Sequence, residues 1–385
     1  MNSLSKWSEK SFEECLGKVE YTFKVQRKDF LQEGKYPVVS QESDFINGYW
    51  NKKDDVFEIG QTPIVLFGDH TKVIKYIDFD FVLGADGVKI LKPKEFIIPK
   101  YLFYKLHSVN LDSLGYARHY KLLRDITVRY PSTKEQRRIV SVLDKVFADI
   151  AKAKENAEKN LQNARELFES YLQNIFAIAR DGWEEKKLMD ACTKITDGSH
   201  FSPDSTDKGP YPYITVRDID NDKIDFEGCR FIDKNNYQLL LKNGCQPICG
   251  DVLFSKDGTV GKVSLVDCNK DFVVLSSLAI IRPNQKILVP SLLKYILKNP
   301  AFLKEAIGRK TGVAIKRIIL KNLKLIDIRY PQSIKKQQEI AANLVKLSAE
   351  TNKLEAMYKE KLSNLEELKK SILQKAFNGE LPGAN

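Results

Sequence analysis

Two long segments of the chain carry apolar residues at the spacing of an α-helix. We predict the first helix from Ser132 to about residue 179, with an apolar stripe made of Ile139, Leu143, Val146, Ile150, Ala153, Ala157, Leu161, Ala164, Phe168, Tyr171 and Ile175. The steps along this stripe alternate between four and three residues, apart from two successive four-residue steps around Ala157. Such alternation is typical of a coiled-coil seam, and an extra four-residue step locally unwinds the supercoil.

The same pattern returns 201 residues later, in a second predicted helix from Ser333 to about Phe377. Nine of the eleven corresponding positions are apolar, and the irregular step is shared: Ile340, Leu344, Leu347, Thr351, Leu354, Tyr358, Leu362, Leu365, Lys369, Ile372 and Ala376. A helix of about 45 residues is about 65 Å long, and its apolar stripe needs a partner. We therefore predict that the two helices pair with each other, antiparallel.

Short motifs outside the helices are doubled in the same order. Arg-Tyr-Pro precedes each helix, a glutamine lies near each helix start, and a tryptophan opens each globular part. The pairs are Arg129-Tyr130-Pro131 with Arg329-Tyr330-Pro331, Gln136 with Gln337, Trp7 with Trp183, and Tyr36-Pro37 with Tyr211-Pro212. The alternative is two unrelated domains that each end in an amphipathic helix, but the shared irregular step favours an internal repeat.

The segments before the helices predict two globular domains of mixed, strand-rich character. Predicted strands span 64–67, 72–76, 87–91, 246–254, 261–266 and 272–282, and short helices span 99–106, 291–298 and 301–307. The predicted boundaries are 1–131 for the first domain, 132–180 for the central helix, 181–331 for the second domain and 332–385 for the C-terminal helix. The fold class is α+β: two mixed strand-rich domains separated by two long antiparallel coiled-coil helices, with an internal pseudo-twofold repeat.

Composition adds a basic charge and disfavours several classes of protein. The 385 residues are 43% hydrophobic and 29% charged. Their formal net charge is +11, and this positive charge favours a polyanionic partner. The six cysteines form no CxxC pair and the four histidines no zinc spacing, so we expect reduced thiols and no metal site. No stretch has the length of an apolar membrane span, and residues 1–10 lack the apolar part of a secretory signal. We expect a cytoplasmic protein with no membrane partner.

The doubled motifs resemble those of the specificity subunits of type I restriction–modification systems, over essentially the whole chain. The resemblance depends on the Trp openings, the Tyr-Pro strands, the junctions that run from Arg-Tyr-Pro to Gln136 and Gln337, and the segments Leu172–Phe176 and Leu373–Phe377. It implies two target-recognition domains, each reading one half of a bipartite double-stranded DNA sequence, with the helices setting the spacer between the halves.

The resemblance also implies partners that perform the chemistry. Two modification (methyltransferase) subunits would bind the helices and methylate adenine, and restriction subunits would add translocation and cleavage in the full complex. S-adenosylmethionine, ATP and Mg would then belong to these partners, and this chain would be no enzyme and would hold no cofactor, no metal and no catalytic residue.

The chemistry of DNA recognition indicates which residues of the chain are candidates for DNA binding. Base edges in the major groove are read by Arg, Lys, Asn and Gln, and phosphates by Lys, Arg, Ser, Thr and backbone N–H groups. In the first domain the candidates are Lys24, Gln26, Arg27, Ser40, Gln41, His70, Lys72, Tyr116, Arg118 and His119. In the second they are His200, Thr215, Arg217, Asp218, Ser255, Lys256, Lys262, Lys310, Thr311 and Lys316.

Several motifs suggest catalysis or ligand binding but fit turns better. Asn299–Phe302 resembles the catalytic motif of amino-methyltransferases but lacks its second proline, so we predict a turn and a helix start. Asp257–Lys262 lacks the spacing of a phosphate loop and predicts a hairpin turn, which leaves a DNA phosphate contact open. Asp197–His200 and 67–72 predict surface turns or DNA-facing loops. A stand-alone nuclease or methylase is disfavoured; the remaining alternative is a coiled-coil scaffold with basic domains and no sequence-specific DNA role.

Overall fold

The fold comes from a computed structural model, which describes residues 7–85, 87–111, 117–177, 181–308 and 318–381. The chain forms two compact units, and each contains part of both long helices. The first unit comprises Met1–Ala157 with Glu360–Asn385, and the second comprises Glu158–Lys359.

The first unit contains small sheets and short helices ahead of a long helix. Its strands are β1 (Ser8–Ser11), β2 (Lys24–Val25), β3 (Tyr36–Val39), β4 (Gly48–Trp50), β5 (Val56–Phe57), β6 (Ile64–Gly68), β7 (Ile74–Ile77), β8 (Phe81–Gly84), β9 (Val88–Leu91) and β10 (Thr127–Tyr130). Its helices are α1 (Pro99–His107), α2 (Tyr120–Arg124) and the first part of α3 (Thr133–Ala177). Strand order is β7-β6-β9 in one sheet and β2-β8-β3-β4 in another, where β5 also pairs with β8.

The second unit contains the same kinds of element. Its strands are β11 (Trp183–Lys187), β12 (Cys192–Asp197), β13 (Tyr211–Ile214), β14 (Ile219–Asp220), β15 (Lys223–Ile224), β16 (Arg230–Ile232), β17 (Val252–Ser255), β18 (Val263–Leu265), β19 (Val273–Val274), β20 (Leu278–Pro283) and β21 (Asp327–Pro331). Its helices are α4 (Lys234–Lys242), α5 (Pro290–Lys298), α6 (Pro300–Gly308), α7 (Leu320–Lys324) and most of α8 (Ile334–Phe377). Strand order is β12-β20-β17-β18 in one sheet and β16-β13-β19 in another.

The internal repeat predicted from the sequence is present in the strand pairing of the two units. The Tyr-Pro strands β3 and β13 each pair antiparallel with one following strand, β4 or β16, and parallel with a later one, β8 or β19. Strands β6 and β17 each lie between two antiparallel neighbours, β7 and β9 or β18 and β20. The second unit adds the β14–β15 hairpin and α4, which explains why the globular parts of the sequence differ in length.

The two long helices run antiparallel within each unit, as predicted. In the first unit, Lys369 lies over the Phe147 ring and Lys154 forms an ion pair with Glu366, so rising numbers on α3 meet falling numbers on α8. In the second unit, Arg165 pairs with Glu355 at 3.0 Å. Leu172 and Phe176 share a core there with Ala341 and Leu344, which repeats this order.

The first strand of each unit pairs with the strand that leads into a long helix. Strand β1 pairs antiparallel with β10, and β11 pairs antiparallel with β21. The pairing sets Glu9 opposite Arg129 and Glu185 opposite Arg329, and each opposed pair forms a salt bridge. Exposed pairs of this kind contribute at most about 1 kcal/mol, so their main effect is to fix the register.

A buried glutamine joins each long helix to the short helix beside it. The Gln136 amide nitrogen donates to the carbonyls of Phe96 and Pro131, and its oxygen accepts from the Ile98 N–H. Both Gln136 and its repeat partner Gln337 are 0% exposed. We call these two side chains the glutamine clamps.

The second clamp makes the same three hydrogen bonds in its own unit. Gln337 donates to the carbonyls of Ile287 and Pro331 at 2.7 Å each and accepts from the Val289 N–H at 2.8 Å. In each unit the accepted N–H lies just before a proline-started helix, α1 or α5. The glutamine is therefore retained at both positions because no apolar side chain could satisfy these three backbone groups.

The apolar stripe of the helices packs partly on globular cores instead of on the other helix. Tyr101 on α1 is fully buried, and its ring meets Phe377 of α8 edge to face, with centroids 5.2 Å apart. At the end of α3, Leu172 is 1% exposed, whereas its neighbour Tyr171, predicted in the stripe, is 41% exposed. The inward face has turned by one residue at this point, as expected when a straight helix drifts away from a strict heptad.

Candidate nucleic-acid interface

The loops that follow the Tyr-Pro strands are built by the same local hydrogen bonds in both units. The Ser40 N–H and hydroxyl both donate to Asn47 Oδ1, at 2.8 and 3.0 Å. The Thr215 N–H and hydroxyl both donate to Asp218 Oδ2, at 2.7 and 2.8 Å. Three of the predicted DNA-binding residues, Ser40, Thr215 and Asp218, therefore shape the loops from within.

Two further candidates occupy equivalent positions beside these loops. Val25 at the end of β2 pairs in parallel with Gly84 of β8, and Ser199 pairs in parallel with the residue after β19. The next residues along the chain are Gln26 and His200, and both are exposed. In each unit an exposed side chain with hydrogen-bonding groups thus lies one strand away from the end of the Tyr-Pro strand, across β8 or β19. The doubled sequence motifs do not indicate this match.

The first unit brings a group of polar side chains together around this position. Exposed Arg27 forms an ion pair with Glu42 at 3.1 Å. Gln41 accepts the His70 N–H on its side-chain oxygen at 3.1 Å and the Thr71 hydroxyl on its backbone oxygen at 2.6 Å. Candidates from three separate sequence segments therefore meet on one surface.

The remaining candidates of the first unit divide between exposed and buried positions. Lys24 is half-buried over the Tyr21 ring, and Arg118 is exposed. Lys72 has a left-handed φ of 61° and donates to the Leu111 carbonyl at 3.3 Å. His119 is 1% exposed, with Nδ1 at 3.0 Å from the Asp69 carbonyl oxygen. Tyr116 lies outside the described residues.

In the second unit, the turn from Asp197 to His200 is supported by a buried lysine. Asp197 Oδ2 lies 3.2 Å from Nε2 of exposed His200, and Asp197 Oδ1 lies 3.3 Å from Nζ of Lys256. Lys256 is fully buried and also pairs with Asp257 at 3.0 Å. A Cβ at Gly198 would lie 2.3 Å from the Val274 carbonyl oxygen, so only glycine fits this turn.

Two other candidates of the second unit, buried Ser255 and half-buried Lys262, hold loops together through hydrogen bonds. Ser255 is 0% exposed and donates to the Thr259 carbonyl at 2.6 Å. The Lys262 ammonium donates to the carbonyls of Val216 and Ile219. Exposed Arg217 belongs to the loop that Lys262 holds. The candidates Lys310, Thr311 and Lys316 lie outside the described residues, as does most of their Gly-punctuated segment.

An exposed phenylalanine ring lies beside the candidate residues of each unit, and neither ring is among the residues predicted from the sequence. Phe23 precedes β2's Lys24 and is 61% exposed, and Phe201 follows His200 and is 55% exposed. Solvent-facing aromatic rings beside cationic and amide groups can stack on bases or wedge between them. Each of these phenylalanines is an isolated aromatic residue in a polar segment, which is the one sequence feature that could indicate its exposure. Most phenylalanines are buried in a core, so this feature alone does not predict a DNA-binding ring.

Two of the catalysis-like motifs have structural roles. Asn299 Oδ1 accepts the Ala301 N–H at 2.8 Å, so it caps the start of α6 as a turn residue. Asp257–Lys262 forms the turn between antiparallel strands β17 and β18, as predicted. Among the described residues, no group of three or more His, Cys, Asp and Glu side chains could hold a metal ion. No helix in the described ranges is long and apolar enough to cross a membrane.

Comparison with known proteins identifies relatives of the whole arrangement. A family model for the type I restriction modification DNA specificity domain matches residues 5–159 and 180–364. The chain is 24% identical over 289 residues to the type I restriction enzyme EcoBI specificity subunit of Escherichia coli, covering 68% of this chain and 60% of that protein. It is 23% identical over 354 residues to the EcoR124I/EcoR124II specificity subunit of Escherichia coli, covering 86% of this chain and 83% of that protein.

Solved structures share the fold over nearly the full length. A chain from a structure of a type I R-M system, on complex assembly and conformational transition, superposes with a TM-score of 0.72 at 19% identity and covers 98% of both chains. The HsdS subunit from Thermoanaerobacter tengcongensis superposes with a TM-score of 0.52 at 19% identity, covering 98% of this chain and 97% of that one. The resemblance drawn from the doubled motifs is confirmed.

Proposed function

Because the chain belongs to the family of type I restriction–modification DNA specificity subunits, we propose that it selects the DNA sequence on which such a complex acts. The observation that carries this proposal is the repeated surface: in both units, exposed Gln26 or His200 lies one strand away from the end of the Tyr-Pro strand, where the loop begins. A net charge of +11 suits a phosphate-bearing partner. The family match favours this function over a coiled-coil scaffold with no DNA role.

Each unit would read one part of a bipartite site. Exposed Gln26, Arg27 and Arg118 in the first unit and His200 and Arg217 in the second are the candidates best placed to reach base edges or phosphates. Gln and Arg can make paired hydrogen bonds to adenine and guanine in the major groove. The buried candidates act beneath this surface by holding its loops.

The long helices would set the distance between the two parts of the DNA site. Helix α3 has 45 residues and α8 has 44, so each is about 65 Å long. Half-sites read from one face of a duplex are spaced near multiples of about 34 Å. A stiff helix pair, tied by Lys154–Glu366 and Arg165–Glu355, holds such a spacing, whereas a flexible linker would not.

The chain is proposed to act with partners and to catalyse nothing itself. Two modification subunits would methylate adenine with S-adenosylmethionine, and restriction subunits would use ATP and Mg, in the cytoplasm. A doubled surface supports two copies of the same partner: Leu167 on α3 is 66% exposed, and Leu368, 201 residues later on α8, is 47% exposed. A large exposed apolar side chain at the same position of each repeat would give two copies of one partner equivalent places to dock.

Replacing Leu167 or Leu368 with aspartate is expected to remove one modification subunit from the complex. A buried aspartate would have to lose its hydration without a partner, which costs several kcal/mol. Native mass spectrometry of each variant with the modification subunit should show one copy, and the double variant none. Exposed Glu166→Asp and Glu367→Asp are the matched controls and should keep two copies. Two copies on both single variants would contradict this docking surface.

Exchange of one unit tests the proposed function directly. Residues 7–130 replaced by the corresponding segment of another specificity subunit are expected to change one part of the methylated sequence and leave the other part and the spacer unchanged. Sequencing of methylated adenines in cells that carry the chain and its modification subunit gives the readout. Methylation by the purified chain alone, or a change in both parts of the site, would refute the proposal.

A further inference from the structure

We propose that Lys75 and Lys262 are positioning residues for DNA recognition: each holds the loop that follows the Tyr-Pro strand of its unit, without contacting DNA. We call residues 40–47 the first loop and 215–222 the second loop. The inference rests on the function proposed above. Lys75 is not among the DNA-binding residues predicted from the sequence, and Lys262 is predicted there as a direct phosphate contact.

Lys75 directs its whole hydrogen-bonding capacity into the first loop. It lies on β7 and is 4% exposed. Its Nζ lies 2.5 Å from the Asp44 carbonyl oxygen, 3.2 Å from Asn47 Oδ1 and 3.4 Å from the Phe45 carbonyl oxygen. An ammonium group has three N–H donors, and the first loop offers these three acceptors. Because Asn47 Oδ1 also accepts from Ser40, the lysine is linked to the end of the Tyr-Pro strand.

Lys262 serves the second loop from a different position. It lies in the turn just before β18, and its Nζ donates to the Val216 carbonyl at 3.2 Å and the Ile219 carbonyl at 2.6 Å. Two residues later, the Ser264 hydroxyl donates to the Asp222 carbonyl at 2.9 Å. Exposed Arg217 lies between the two carbonyls that Lys262 binds, so the lysine fixes the backbone that carries this arginine.

The two lysines do not occupy equivalent positions in the repeat. Phe67 pairs with Ile74 and Phe254 pairs with Val263, so β7 and β18 correspond with Ile74 opposite Val263 in the alignment. Lys75 then follows this reference position by one residue, and Lys262 precedes it by one. The same hairpin in each unit therefore contacts the same loop through a lysine at a different position. A lysine inherited from one ancestral repeat would occupy equivalent positions in both units. A common requirement for a rigid loop explains it.

Rigid loops matter because recognition pays for any ordering that occurs on binding. Fixing one residue of a mobile backbone costs about 1–2 kcal/mol, so a loop that orders only on DNA loses affinity. A loop that can rearrange also tolerates a changed base pair, whereas a loop held in one geometry leaves its polar groups unpaired there. The first loop carries Glu42, whose side chain is 35% exposed and pairs with Arg27, and the second loop exposes Arg217. Carboxylates accept hydrogen bonds from cytosine, and arginines donate to guanine, so both loops carry groups that distinguish bases.

The charge on Lys75 gives the first loop a distinctive response to pH. Burial lowers the pKa of Lys75 to about 8, while the facing carboxylates Glu42 and Asp44 act in the opposite direction. Above that pH the neutral amine has two N–H groups for three acceptors, so one contact with the first loop is lost. Discrimination in the DNA part read by the first unit is expected to fall between pH 7 and 9. The part read by the second unit is the internal reference, because the acceptors of Lys75 all lie in the first loop.

The test uses the complex of the full chain with its modification subunits. The probes are duplexes that carry the methylated sequence of the source genome, with single base-pair changes in one part of the site or the other. Discrimination is the ratio of Kd for the changed duplex to Kd for the intact one. Lys75→Met is expected to lower discrimination about tenfold in one part only, and Lys262→Met about tenfold in the other part only. Exposed Lys92→Met and Lys286→Met are the matched controls and should leave both ratios within about twofold.

Every outcome of this experiment either supports or overturns the positioning role of the two lysines. Variants that lower both ratios alike, or that change neither although the wild-type complex discriminates, overturn the positioning role and leave the proposed function standing. A wild-type complex that discriminates at neither part overturns the proposed function as well. If Lys75→Met does not assemble, Lys75→Gln is measured beside the wild-type pH profile: a first-unit ratio that stays flat from pH 7 to 9 and that Lys75→Gln leaves unchanged overturns the role of Lys75. Lys75→Arg, which stays charged over this range, is expected to flatten that profile.

Discussion

Replacing Asp251 with alanine is expected to lower the free energy of unfolding of the second unit by about 3–5 kcal/mol. Asp251 is 0% exposed, and its two carboxylate oxygens accept from Arg282 at 2.7 and 2.8 Å. One of these oxygens also accepts the Ile248 N–H at 2.8 Å. The variant would leave the Arg282 guanidinium, which is only 28% exposed, without its carboxylate.

Urea unfolding of the full chain, followed by circular dichroism, measures this loss. Asp267→Ala is the matched control, because Asp267 is exposed, and it should change the midpoint little. The equivalent position in the first unit is Ile64, which is 1% exposed, so an apolar side chain satisfies the same place there. An Asp251→Ala midpoint equal to that of the control would show that the buried ion pair contributes nothing net.

Replacing Gln337 with leucine is expected to cost about 3 kcal/mol of unfolding free energy and to loosen the junction between α8 and α5. Leucine matches glutamine closely in size but satisfies none of the three backbone groups that the glutamine clamp binds. Each buried polar group left without a partner costs about 1–3 kcal/mol. Hydrogen exchange at the Val289 amide should speed up, and thermal unfolding should shift down.

The neighbouring residue provides the control for the glutamine clamp. Gln338 is exposed on the same turn of α8, so Gln338→Leu should leave the melting temperature and the Val289 exchange rate nearly unchanged. Gln136→Leu is expected to have the same effect in the first unit. A Gln337→Leu chain as stable as the Gln338→Leu chain would mean that water or a backbone shift replaces the clamp.

The sequence was a reliable guide wherever a feature was periodic or doubled. Helices α3 and α8 begin and end within about two residues of their predicted bounds, because a stripe that repeats over twelve turns outweighs local noise. Short apolar runs were less informative. The strand predicted over 246–254 forms only at Val252–Ser255, because Pro247 and Gly250, with φ of 93°, interrupt the earlier part. Helix α4 was missed, although Asp233 caps its start.

The candidate interface was predicted in outline and not in detail. Residue type selected the right neighbourhoods, since Gln26, Arg27, His200 and Arg217 are exposed near the ends of the sheets that contain the Tyr-Pro strands. It could not separate side chains that face solvent from those that hold loops. Lysine has a long apolar stem that is stable in either orientation, so its direction depends on which carbonyls the tertiary structure brings near.

By itself, the sequence determined that the molecule is an internal repeat with two constant helices and two variable globular parts. The sequence shows this because the apolar spacing of the helices is periodic, and because the glutamine clamps and the Arg-Tyr-Pro strands are local motifs that occur twice. Only the tertiary structure decided which polar residues form the surface. Lys75, Lys256 and Lys262 point toward carbonyls and carboxylates that are distant along the chain. These acceptors have little access to water, so the lysine ammonium groups satisfy their hydrogen-bonding requirement.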